Sequence, residues 1–479
     1  MLITFKVSNF LSFNDEVEFS MMAGQPRQLP SHVIHFGEGR SRVDILKTAV
    51  VYGANASGKS NLIKAMDFAR KIIVNGLKSE NTYNKHFRLD SSNQAKVSKF
   101  EFEFKTGDKV YAYGFSLHLE SKKFKSEWLS EIGKTTDKPI FERAVLENGK
   151  SDFKFYLKLK GKIATRFDVY KEDILDSQLF LTELNEKNLE DIKEVEDFGE
   201  AFYWFEHDLI ILPSTDFDVL NLSLTSFIHF NQNDLKKYFD LFNTGIFQIS
   251  TKEIPFEKAE WAIKTFNLSP FIEQLKQNKD VTEDAIFPFV FWFDGEQTRI
   301  AFSKTKNNEV KISQIIALTN SKKDGDVVDF EMQDLSDGTR RVLDLIPFLN
   351  VAQQDDFTFI IDEIDRSLHP ELTRKLIEVF HKTTEGVESQ LIVTTHESSL
   401  LDLNLLRRDE IWFTEKNQDG ESHIYSLEEF KPRHDTELRK AYLQGRFGAI
   451  PFISDANLLG WAKNNHQITT STEKPTPSV

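Results

Sequence analysis

Cysteine is absent from all 479 residues. That excludes disulfides, thiolate metal sites and a cysteine nucleophile, and it fits a reducing cytoplasm, the expected location. Long apolar runs are missing too. No stretch is long enough to cross a bilayer, so no membrane partner is expected. The opening Met1-Leu2-Ile3-Thr4-Phe5 lacks the basic segment and apolar core of a secretory signal. Positive charge is in short supply: 60 Lys and Arg against 75 Asp and Glu leave a formal charge of −15 and a pI near 5.4. Such a surface does not coat nucleic acid non-specifically, although a local basic groove stays open. No internal repeat and no sustained heptad pattern is visible, which argues against a long coiled coil. Apolar residues make up 40%, enough for a large core and more than one domain. The 43 phenylalanines are read as core and helix-seam packing rather than base stacking.

The chain is organised around Gly53-Ala54-Asn55-Ala56-Ser57-Gly58-Lys59-Ser60, a G-x-x-x-x-G-K-[ST] phosphate-binding loop. Leu46 to Tyr52 before it reads as a short buried strand. Asn61 to Ile73 after it reads as a helix, with Leu62, Ile63, Met66, Ala69 and Ile73 on one face. Strand, glycine loop and helix start form the context the motif requires. Glycines let backbone N–H groups approach an anion, and the helix start adds unpaired N–H groups and a positive dipole end. Lys59 is expected to reach the outer phosphates, and Ser60 to hold Mg²⁺. Gly53 to Asn61 are the candidate nucleotide-binding residues, and ATP and Mg²⁺ the expected cofactors.

Around this motif, Leu2–Val7 and Val17–Ser20 are expected strands, and Gln25–Arg42 a loop. Phe100–Phe104 alternates phenylalanine and glutamate, as a half-buried antiparallel strand does. Val110–Leu119 and Phe153–Leu159 alternate likewise, and Phe124–Ile132 does so more weakly. Asp173–Leu184, Asn188–Phe205, Asn233–Asn243 and Pro255–Asn278 carry helical spacing rich in charge. Phe287–Phe293 and Thr298–Ser303 return to strand patterning, with polar turns at Lys304–Asn308 and Asn320–Asp326. The expected division is therefore an N-terminal lobe over 1–170, a mostly helical insertion over 171–287, a second lobe over 288–463 and a disordered tail over 464–479.

The second half of the site lies downstream. Phe357 to Glu363 is an apolar strand ending in two acids. Buried strands deliver side chains to their C-terminal edge, where α/β sheets bind ligands. Asp362 is expected to share Mg²⁺ with Ser60, and Glu363 to polarise the attacking water. Leu391 to His396 is another apolar strand, and His396 is placed to contact the γ-phosphate. Leu335-Ser336-Asp337-Gly338-Thr339-Arg340-Arg341, just before a helix over Val342–Leu349, offers a second anion-binding helix start.

In this order the motifs resemble the ABC-type ATPases of the SMC, Rad50 and RecF group. Phe5 to Phe13 (FKVSNFLSF) looks like the first strand of those proteins. Three runs look more narrowly like the AAA15 (AbiL-like) ATPase family: Ser336–Arg341, Asp362–Pro370 (DEIDRSLHP) and Tyr442–Pro451 (YLQGRFGAIP). That family includes ATPase components of anti-phage systems such as the PARIS ATPase. The resemblance covers nearly the whole chain, least of all the insertion. It implies an α/β ABC-type ATPase head: a mixed sheet with a phosphate-loop core, an antiparallel β meander and a mostly helical insertion. It also implies a head-to-head dimer, or a higher oligomer, with Leu335, Ser336, Asp337, Gly338, Thr339 and Arg340 closing over the partner's nucleotide. Arg341 would support them, and Leu368-His369 would link the two sites. Two departures stand out. Asp337 occupies a position where many ABC proteins have glycine, and no glutamine is clearly placed for the metal-binding loop; Gln94 is not assigned to it.

The expected activity is ATP hydrolysis driving a dimerising switch in bacterial defence, with a phage-encoded trigger. The chain has no H-N-H run and no acidic cluster beyond the ATP site, so a separate nuclease or toxin would be the effector. Two alternatives stand beside this one. A RecF-like DNA clamp would use Lys154, Lys158, Lys160, Lys162 and Arg166, residues more simply read as a solvated strand face. A non-hydrolysing nucleotide-gated scaffold is opposed by Lys59, Asp362 and Glu363.

Overall fold

The structure, a computed structural model, describes residues 1–24, 28–37, 42–133, 136–187, 192–213, 232–278, 286–293, 296–305, 307–320, 326–433 and 437–450. The expected tail over 464–479 lies outside them.

Apolar β-branched runs form the centre. Thr48–Gly53, Thr358–Ile361 and Gln390–Thr394 are buried at every position, as strands covered on both faces must be. They belong to a six-stranded sheet in the order Leu209–Leu212, Thr358–Ile361, Gln390–Thr394, Thr48–Gly53, Ile411–Lys416, Ser422–Ser426. The first five run parallel and the last is antiparallel. Side chains leave this sheet to two sides. Ala49, Val51, Ile360 and Ile392 join one core with the helix Lys59–Asn75 and the phenylalanines of a second sheet. Val50, Tyr52, Phe359, Ile361, Leu391 and Val393 join another with the helices Asp337–Val351 and Pro370–Thr383.

The second sheet is the expected antiparallel meander, seven strands ordered Ser151–Phe155, Lys138–Val145, Lys123–Glu131, Lys109–His118, Ser98–Thr106, Leu2–Ser8, Val17–Ser20. Its alternating phenylalanines point inward: Phe100, Phe102 and Phe104 are fully buried while Glu101 and Glu103 face outward. Buried Gln390 fastens the two sheets. It accepts from Leu2 N at 2.6 Å and donates to Leu2 O and Leu46 O at 2.9 Å. Buried Glu127 fastens the meander to the next segment through Phe180 N, Leu181 N and Arg143.

A third sheet joins Gln248–Glu253, Ile286–Phe293, Glu296–Lys304, Val310–Asn320 and Val327–Glu331, and has a small core of its own beneath the helices Phe256–Thr265 and Ser269–Gln277. Arg299 Nη2 bonds Asp344 Oδ1 at 2.6 Å, tying this sheet to the helix Asp337–Val351.

Local structure differs from the sequence reading at identifiable places. Among its described residues the stretch 171–287 holds helices at Phe180–Asn185, Glu196–Tyr203 and Gln232–Leu241, but also strands. Leu209–Leu212 pairs in the central sheet and Gln248–Glu253 in the third. A four-residue apolar run carries too little periodicity to distinguish helix from strand. The expected helix Pro255–Asn278 is broken in two, because Asn267 turns left-handed (φ 49°) and Pro270 opens the next helix. Within the expected loop Gln25–Arg42, Val33–Phe36 pairs with Val43–Leu46. The strand expected over Phe153–Leu159 ends at Phe155.

Candidate functional site

The phosphate loop leaves the strand Thr48–Gly53 and enters the helix Lys59–Asn75. Ala56 (φ 62°) and Gly58 (φ 121°) turn the backbone left-handed, which presents successive N–H groups to one side. Three hydroxyls brace the loop from behind. Ser57 Oγ bonds Thr414 Oγ1 at 2.6 Å, and Ser422 Oγ donates to Ser57 O at 2.6 Å. Ser12 Oγ lies 2.8 Å from Ser422 Oγ and accepts from Asn61 Nδ2 at 2.8 Å. Close packing explains the first glycine, since a Cβ on Gly53 would meet Thr414 O at 2.5 Å.

Lys59 folds back over this loop, donating to Gly53 O at 2.7 Å and Ala54 O at 3.1 Å. The residue is 5% exposed. Burial lowers its pKa to about 8 against the pull of Asp362, Asp365 and Glu363. The acids arrive from the neighbouring strand. Asp362 is buried, and its Oδ1 accepts from Ser60 Oγ at 3.1 Å and from Thr394 Oγ1 at 2.5 Å. Thr394 Oγ1 also accepts from Glu363 N at 2.8 Å. One hydroxyl thus holds the Asp362 carboxylate and the backbone of Glu363. Glu363 is held at φ 51°, a left-handed conformation that non-glycine residues keep when surrounding bonds enforce it.

The phosphate loop, Ser60, Asp362 and Glu363 lie side by side. Ser60 Oγ and Asp362 form a hard oxygen pair suited to Mg²⁺, an ion that takes its other ligands from phosphates and water. His396 stands in the same field. Its pKa is lowered by burial first and by Lys59 second, against the pull of Asp365, Glu363 and Asp362, which favours the uncharged ring. Its backbone N–H donates to Asp365 at 3.3 Å.

The signature segment sits differently. Ser336 caps the helix Asp337–Val351, accepting from Thr339 N at 3.2 Å, and Ser336 and Asp337 are exposed. Leu335 packs on the core. Gly338 lies so close to the Asp362–Pro370 segment that a Cβ would meet Ser367 O at 2.9 Å. Arg340 pairs with Asp337, whereas Arg341 reaches Glu363 O at 3.2 Å. Gln94 bonds Glu120 at the surface, away from these groups. Lys154, Lys158, Lys160, Lys162 and Arg166 are all exposed, with Lys154 near Glu142 and Arg166 bonded to Lys187 O.

Sequence reasoning passed over Thr394, Asp365, and the bracing trio Ser12, Thr414 and Ser422. For Thr394 a signal was present: a hydroxyl interrupts the apolar run Leu391–Val393 just before the histidine. Ser12 lies far along the chain from Thr414 and Ser422, which sit on the paired strands Ile411–Lys416 and Ser422–Ser426, and only the fold shows that the three meet at the loop.

Residues 49–402 match the family model described as "AAA domain, putative AbiEii toxin, Type IV TA system". No curated protein matches the chain. Among solved structures, an SMC head bound to the C-terminal winged-helix domain of ScpA aligns at 14% identity and TM-score 0.37, covering 90% of this chain and 99% of that one. The SMC head domain from Thermotoga maritima aligns at 10% and 0.34, covering 89% and 98%. The Smc head domain with an extended coiled coil, bound to the C-terminal domain of ScpA derived from Pyrococcus furiosus, aligns at 12% and 0.34, covering 90% and 99%. No helix among the described residues is long and apolar enough to cross a membrane.

Proposed function

The chain belongs to the AAA-domain family whose model spans residues 49–402, and on that premise we propose that it is an ATP-hydrolysing switch that closes by dimerising. Nucleotide binding is the common ground of such ATPases. The observation that carries the finer reading is that Ser60 Oγ and Thr394 Oγ1 both donate to Asp362 Oδ1 beside Lys59, while the same Thr394 hydroxyl accepts from the backbone N–H of Glu363.

Lys59 would release Gly53 O and Ala54 O and turn to the outer phosphates, where its charge stabilises the transferring group. The N–H groups of Ser57 to Ser60 would hold the neighbouring phosphates at the helix start. Mg²⁺, held by Ser60 and Asp362, would neutralise developing phosphate charge. Glu363 would accept the proton of the attacking water, and neutral His396 would hydrogen-bond the γ-phosphate. Ser336 and Gly338 of a second copy would complete the cage, with Arg340 and Arg341 fixing the helix start that presents them. Hydrolysis would remove the group the signature holds, and the pair would reopen.

The switch would serve anti-phage defence. The family description names a putative toxin of a toxin–antitoxin system, which is a defence setting; a separate toxic or nucleolytic effector and a phage-encoded trigger are the partners that this reading adds. The third sheet is the surface best placed to receive a partner's influence, since Arg299–Asp344 joins it directly to the signature helix. Phosphate release with ATP and Mg²⁺ tests the enzymatic part. Turnover by the native chain that falls in Glu363→Gln supports it; equal turnover in both would refute the assigned base.

A further inference from the structure

At the other end of the same parallel strands lies a cluster that nucleotide chemistry does not use. His32, His381 and Glu410 offer three ligand atoms within 4.8 Å of one another. Thr48, which opens the phosphate-loop strand, touches this cluster, about 16 Å along the strand from Gly53. His32 Nδ1 lies 2.9 and 3.0 Å from the two oxygens of Glu410. Glu410 is fully buried, and its Oε2 is oriented by Arg407 N at 2.7 Å.

A buried His–Glu hydrogen bond alone would be unremarkable packing. His381 is what it leaves unexplained. Its ring stacks on His32 at 3.4 Å and 9°, and its Nδ1 is buried without a hydrogen-bond partner among the described residues. Burial first, then the neighbouring His32 and Lys47, whose Nζ donates to Thr384 O at 2.6 Å, disfavour an imidazolium at His381. The other ring nitrogen, Nε2, sits 2.9 Å from Thr48 Oγ1. If Nε2 donates there, Nδ1 presents a bare lone pair. That is how metal-ligating histidines are commonly arranged: one nitrogen on the ion, the other N–H on a protein oxygen. Arg407 N orients the carboxylate in the same way.

We propose that His32, His381 and Glu410 bind a divalent transition-metal ion of the zinc type, which pins the segment before Val33, the end of the helix Pro370–Thr383 and the start of the strand Ile411–Lys416 to one another. Two imidazoles and a carboxylate suit Zn²⁺, whereas Mg²⁺ and Ca²⁺ prefer all-oxygen shells, so this site and the nucleotide site would not compete for one ion. Metal–ligand bonds of about 2.0–2.2 Å require the three groups to draw in by roughly an ångström, within the reach of side-chain rotation.

The full chain, stripped with EDTA and freed of nucleotide, is titrated with ZnCl₂ by calorimetry, and retained zinc is measured after gel filtration. One zinc per chain is expected. His381→Ala and Glu410→Gln should each weaken binding at least tenfold, whereas Lys59→Ala and His35→Ala, the latter at an exposed histidine nearby, should keep it. No retained zinc in the native chain, or undiminished binding in His381→Ala, overturns the proposal. Should both weakened variants prove insoluble, Co²⁺ added to the stripped native chain decides: the intense visible absorption of a tetrahedral site supports the assignment, and the weak spectrum of an octahedral aqua ion contradicts it.

Discussion

The two helix starts proposed to bind anions have opposite surroundings. The phosphate-loop half is buried and cross-braced. Ser12, Thr414 and Ser422 hold the loop, and Thr394 holds the Asp362 carboxylate and the backbone of Glu363. The signature half ends in the exposed pair Ser336–Asp337, fixed mainly by its own cap and by close contact of Gly338 with Ser367. One half is finished inside the chain; the other presents its polar groups outward. Binding should therefore be a property of one chain, and turnover a property of two.

The comparison can be broken from either side. Glu363→Gln should lower phosphate release by about 10²- to 10⁴-fold while sparing ATP binding and prolonging the closed state; native turnover would show that another base acts. Lys59→Ala should weaken ATP about 10- to 100-fold by calorimetry, since a charge-assisted contact is lost. Unchanged affinity would remove the loop from the site. Thr394→Val keeps the shape but not the hydroxyl, and should lower turnover about tenfold, the scale of one hydrogen bond. A wild-type rate there would mean the acids need no alignment.

The smallest effect is on pH. Burial sets the Lys59 pKa near 8, so ATP affinity should decline as pH rises through about 8 and the ammonium is lost. Lys59→Arg should flatten that decline. The sign is opposite for folding. Between about 8 and the ordinary 10.5 the unfolded chain holds the extra proton, so this group's contribution to stability grows as pH rises across that window. An affinity flat from pH 7 to 9.5 would place Lys59 in a more exposed setting.

The same contrast explains what could be read in advance. The phosphate loop, the acidic strand and the Phe100–Phe104 strand are legible because local pattern and burial agree: β-branched runs ending in glycine or acids, and strict alternation. The hydroxyl braces were not, because Ser12, Ser57, Thr414 and Ser422 meet only across the fold. Leu209–Leu212 was hidden because four apolar residues support helix and strand alike, and its partner Thr358–Ile361 lies far along the chain. The third sheet was legible only in pieces. Its strands Val310–Asn320 and Val327–Glu331 follow short polar stretches of sequence, and Val310–Asn320 takes partners on both sides.

The most direct test mixes two dead proteins. Lys59→Ala spoils only the buried half, and Ser336→Arg only the exposed half, leaving its own ATP binding intact. Each alone should release almost no phosphate. Mixed in equal amounts, they should regain a substantial part of native turnover, because the phosphate loop of one chain meets the unaltered signature of the other. A mixture as inactive as its components, or Ser336→Arg hydrolysing ATP at the native rate by itself, would contradict a reaction centre shared between two chains.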